Sequence, residues 1–179
     1  MSEQRQETRK EEVARVRSYL ASQSMRRTTE QIVEALREAQ CQFLAAVALI
    51  SDADFRTPPA EEEWSAADVL SHVHAIAAFD ERSIRAVIER DEQPADVSDQ
   101  IEAAPPEVTR EQMLAAIEQL REQLIASVLQ ADPQAHLDIV WGHREFGKMN
   151  WREWLLFARV HTLDHARQIS SIAGALSHK

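Results

Sequence analysis

The sequence predicts an all-α protein, a four-helix bundle preceded by one extra helix, and three observations carry that expectation. Hydrophobic residues make up 44% of the 179 while glycine occurs only 3 times, and Ala, Leu, Glu, Gln and Arg, good helix formers, are abundant. Apolar residues recur at three- and four-residue spacing in successive segments. Four of those segments open on a capping pattern, a short polar residue followed three positions later by a partner side chain. No break in composition divides the chain, so residues 27–179 read as one bundle domain and 1–26 as a helical extension.

Val13, Val16 and Leu20 among charges mark a thin amphipathic helix over 7–23, with a stripe too narrow for a core element. Thr28 and Gln31 then cap a helix over about 28–50, whose inward residues are Ile32, Val33, Leu36, Phe43, Leu44 and Val47. Cys41 falls in this run and is expected to pack. Asp52 to Glu63, with Pro58 and Pro59, cannot continue the helix, because proline removes a donor and restrains the preceding residue. Ser65 and Asp68 cap the next helix, about 65–90, with Val69, Val73, Ile76, Ile84 and Val87 in period.

Asp91 to Val108 holds three prolines and six acidic residues with no basic one, and reads as a long exposed connection. Thr109 and Gln112 cap a helix over about 109–131, with Pro133 just beyond it. Residues 132–149 are unlike the acidic connection, since Leu137, Ile139, Val140, Trp141 and Phe146 must find cover; a packed loop or short hairpin over one bundle end is expected. Asn150 with Glu153 caps the last helix, which runs to Gly174. Trp64, Trp151 and Trp154 are expected to pack the bundle, and Arg159 and Arg167 to face solvent.

A formal charge of -10 disfavours nucleic acid and anionic lipid surfaces as partners. The longest apolar run, Phe43 to Ile50, falls far short of a bilayer span of roughly 20 residues. With no signal-peptide pattern and a single cysteine, a cytoplasmic location is expected. A bundle with an added amphipathic helix suggests a homodimer.

The chemistry concentrates on histidine. His161 and His165, four apart, are neighbours on one helical face, about 6 Å between Cβ atoms, and lie in the stripe of Trp154, Ala158 and Ile172. They are either core histidines satisfied by neighbours or ligands sharing a metal. His72, at the edge of its own helix's apolar stripe, supplies a third ring. At 1.5 Å per residue it lies about 10 Å from the start of its helix, while His165 and His161 lie about 12 and 18 Å from the end of theirs. The three meet at one level if those two helices run antiparallel. That order, up-down-down-up, requires a crossover, and the acidic connection between the second and third bundle helices is long enough, although residues 132–149 are also a candidate. His143 is a possible fourth ligand. Gln168, angularly between His161 and His165, is placed to bond a ligand imidazole or a substrate. Asp80 is either an outer carboxylate or general base for the site, or the partner of an arginine on a neighbouring helix.

Trp64-Ser-Ala-Ala-Asp-Val-Leu-Ser-His72-Val is similar to the Trp-Ser-x-x-Glu-Val-Leu-x-His-Leu signature of the DinB/YfiT-like superfamily, and His161-x-x-x-His165-x-x-Gln168-Ile169 resembles its last-helix signature. The resemblance covers about residues 28–174, with Asp68 standing where Glu is common. It implies a four-helix bundle with a long crossover and a divalent ion, nickel, zinc or iron, on the three histidines. It further implies, for some members, S-transfer or hydrolysis with a low-molecular-weight thiol as cosubstrate and a small electrophile as substrate, through a metal-activated thiolate or water. The alternative is a non-catalytic metal-binding stress-response or interaction protein.

Overall fold

The computed structural model describes residues 3–97 and 105–177. Five helices and one hairpin follow in order: α1 (Glu3–Arg26), α2 (Thr29–Val47), α3 (Ala66–Arg90), α4 (Arg110–Val128), β1 (Trp141–His143), β2 (Gly147–Met149) and α5 (Trp151–Leu176). Thr28, Ser65, Thr109 and Asn150 each accept from a backbone N–H of the first turn, and the side chain three residues on returns the bond to the cap's own N–H. All four capping boxes read from the sequence therefore form, and each satisfies donors that a helix start otherwise leaves unpaired.

Cross-helix contacts fix the helix directions. His72 meets His161 while Phe79 meets Trp154, so α3 and α5 are antiparallel. Arg121 pairs with Asp80 and Ser127 with Glu89, so α3 and α4 run parallel. Thr29 at the start of α2 meets Arg152 at the start of α5, while Phe43 and Val47 share a core cluster with Ile169 and Ile172, so those two are also parallel. The order is up-down-down-up, and the crossover joins α3 to α4. Val97 N–H donates to Gly142 O at 3.0 Å beside the hairpin, whereas Pro105 O and Val108 O accept from Arg56 in the α2–α3 loop, at the opposite end of the bundle. Its middle, 98–104, lies outside the described residues.

Two apolar clusters fill the interior. One gathers Leu20, Ile32, Leu36, Ile84, Leu124, Trp151 and Trp154 with the hairpin residues Trp141 and Met149. The other gathers Phe43, Val47, Phe55, Val69, Val73, Ile117 and Ile169. Along α3 and α5 the three histidines occupy the waist between them. The expected hairpin over one bundle end is present, paired Trp141 to Met149 and His143 to Gly147, with Trp141 stacked on Trp154 at 5.4 Å. No described helix is long and apolar enough to cross a membrane.

Several expectations are corrected. The N-terminal helix is a core element: it extends over Glu3–Arg26, and Leu20 is fully buried with Val16 and Tyr19 packed around it. A narrow stripe suffices because α1 covers the start of α5 and the adjoining hairpin, where Arg17 pairs with Glu153 at 2.6 Å and Arg9 with Glu145. Arg159 is engaged by the hydroxyl of Tyr19 at 3.1 Å rather than by solvent alone. On α2, Leu44 is 46% exposed and Cys41 is exposed. Both sit off the stripe of Ala39, Phe43 and Val47, Cys41 by two residues or about 200° of helical turn.

Candidate metal centre

The three histidines converge through the same ring atom. Nε2 of His161 lies 3.0 Å from Nε2 of His72 and 3.1 Å from Nε2 of His165, and one ligand atom from each falls within 4.8 Å of the others. Nitrogens bound to one ion at 2.0–2.1 Å on neighbouring vertices stand ~2.9–3.4 Å apart, so the two spacings from His161 fit a shared divalent ion. A proton on Nε2 of His161 can serve one of its two contacts and leaves the lone pair of the other neighbour without a donor, whereas a cation among the three accepts a lone pair from each.

Two local devices hold the rings in ligand form. Oε1 of Gln168 lies 2.7 Å from Nδ1 of His165; a carbonyl oxygen only accepts, so the ring proton sits on Nδ1 and Nε2 keeps its lone pair. The expected place of Gln168 beside a ligand imidazole is thus occupied. Burial lowers the pKa of all three histidines: His72 to about 4, His161 well below its ordinary value with further depression from His165, His72 and the Arg121 cation, and His165 despite its bond to Gln168. Neutral imidazole is the form that binds metal.

The sequence profile of the DinB superfamily matches residues 23–169. The chain belongs to the DinB superfamily. No curated protein matches it. Among solved structures it is similar to YfiT from Bacillus subtilis, described as a probable metal-dependent hydrolase with an unusual four-helix bundle topology, at TM-score 0.65 and 15% identity, over 83% of this chain and 87% of that one. It is also similar to TT2238, a four-helix bundle protein, at TM-score 0.63 and 22% identity over 80% of this chain and 99% of that one.

The other site residues of this DinB-superfamily bundle are placed as follows. Asp80 accepts from Arg121 at 2.8 Å, both side chains at most 1% exposed, so its carboxylate is held by the arginine of α4 and not by a histidine ring. His143 is not among the converging nitrogens. Its Nδ1 accepts backbone N–H groups of Glu145 at 3.1 Å and Phe146 at 3.4 Å, and its ring lies against Phe157. Sequence reasoning missed Trp64 as a site residue: its indole stacks parallel to His165 at 6.4 Å and tilts over His72 at 5.3 Å. The available signal was its place eight residues before His72, across the Ser65 cap. Two clefts reach the cluster. One of about 510 Å³ is lined by Trp64, His165, Gln168 and the acidic Glu62 and Glu63. The other, about 260 Å³, is lined by His72, His161, Phe79, Trp154, Phe157 and Arg82.

Proposed function

We propose that this protein is a metal-dependent enzyme of the thiol S-transferase or hydrolase type, in which His72, His161 and His165 hold one divalent ion, nickel, zinc or iron. The observation that carries the reading is that Nε2 of His161 stands 3.0 Å from that of His72 and 3.1 Å from that of His165, at a place two clefts reach. A sealed structural site takes a fourth protein ligand, whereas three ligands beside a cleft are the pattern of a catalytic one. When bound, the ion supplies a Lewis acid that lowers the pKa of a thiol or water joining it.

The chain's own groups prepare that chemistry. Gln168 fixes the His165 tautomer, Arg121 favours neutral His161, and Trp64 packs against two of the rings. The description of YfiT as a probable metal-dependent hydrolase supports the same reading.

Protein purified without chelator or affinity histidines is expected to carry one divalent ion per chain by elemental analysis. His161→Ala is expected to lose the ion and all turnover of thiol with electrophile while retaining the helical circular dichroism spectrum. A metal-loaded protein inert toward a broad panel of thiols and electrophiles, yet dependent on His161 for association with a partner, would replace this reading with the non-catalytic one.

A further inference from the structure

We propose that the cleft between α3 and the start of α5 is the seat of a planar aromatic or conjugated carboxylate, with its flat body against the wall made by Phe79, Trp154 and Phe157 and its anionic end at Arg82. The inference deepens the enzyme reading by naming the electrophile's class, and it uses that reading only to say why the seat ends at the histidines.

The cavity has about 260 Å³ and walls that are mostly apolar, lined by Phe79, Trp154 and Phe157 together with His72 and His161. Phe79 and Trp154 lie 5.6 Å apart at 60°, and Trp154 meets Phe157 edge-on at 5.6 Å. Such rings favour a flat π-system, which can stack on one face and meet the edges of the others. Among the described lining residues the single cationic side chain is Arg82, exposed on α3 one turn beyond Phe79.

Arg82 is not consumed by its neighbours. The adjacent carboxylates Glu81 and Glu89 both pair with Arg85, at 2.5 and 2.7 Å, and no ion pair of Arg82 is found among the described residues. In a chain of net charge -10, a guanidinium left to a cavity mouth selects for an anion, and its planar fork suits a carboxylate. The second cleft has the opposite character: Glu62 and Glu63 stand exposed beside Trp64 and would repel the same ligand. An anionic electrophile therefore enters from the α3 side, and the Trp64 side is left to a neutral or cationic cosubstrate.

The test uses cinnamate and the uncharged cinnamamide as probes, titrated into the full-length protein by ligand-observed NMR, both as purified and after removal of metal. Cinnamate is expected to bind more tightly than cinnamamide in both preparations. Arg82→Gln should weaken cinnamate about tenfold, as for a charge-assisted bond to a partly exposed site, and leave cinnamamide within about twofold. Ala75→Phe, an exposed lining position, should weaken both by filling the cavity. Equal affinity for the two probes, or cinnamate binding indifferent to Arg82→Gln or to Ala75→Phe, overturns the proposal. Cinnamate binding that survives with no metal ever detected supports the seat while removing the metal-enzyme reading, so the two can fail separately.

Discussion

His165 shows how one side-chain bond sets the chemistry of a ring: with Nδ1 donating to Gln168, its Nε2 lone pair is left facing His161. The same burial that keeps these rings neutral has a cost at low pH. In the unfolded chain the histidines take up protons near pH 6.5, whereas in the fold they resist, His72 down to about 4. Between those values the unfolded state binds more protons, so the metal-free protein is at full stability above pH 6.5 and loses it as pH falls toward 4. Urea unfolding of chelator-treated protein from pH 7.5 to 5 is expected to show this slope, and His72→Phe should make it shallower. Asp80 and Arg121 present the companion case of a buried charge held by a partner. Asp80→Ala strands the guanidinium and is expected to cost about 3–5 kcal/mol in urea unfolding, with part recovered when Arg121→Met is added. The three histidines were legible because spacing and helix height place them. Trp64 over His165 was not, and the arginine offered as one of two roles for Asp80 could not be named as Arg121, because neither contact lies within one helix.

The helices begin where the sequence says they begin, since a capping box is a local device made within four residues. Their buried faces are less local. Leu44 fits the apolar run of α2 yet is 46% exposed, because α2 rests on α5 and leaves that side open. The hairpin depends on a contact of another kind. At Gly142 an added Cβ would stand 2.9 Å from the carboxylate of Asp96, which accepts the Gly142 N–H. Gly142→Ala must push the start of the crossover off β1, and an expected loss of about 1–3 kcal/mol on thermal unfolding should accompany faster proteolysis within residues 91–97. If stability and cleavage are unchanged, the crossover is not anchored there.

At the scale of the molecule, α1 closes the core at the start of α5. Leu20 is fully buried among Ile32, Trp151 and Leu155, so Leu20→Ala is expected to lower stability by about 2–5 kcal/mol, a loss measurable by chemical denaturation. A surface appendage would lose almost nothing. The sequence alone determined the all-α class, the four caps, the long connection and the one level at which His72, His161 and His165 meet, because each follows from helical periodicity and from distance along a helix. Tertiary structure decided the rest: that α1 is core, that Asp80 belongs to Arg121, and that the histidine waist opens between an acidic cleft and an aromatic one. Those outcomes depend on which faces of separate helices are brought together, and the packing of one face against another is a property of the pair rather than of either segment.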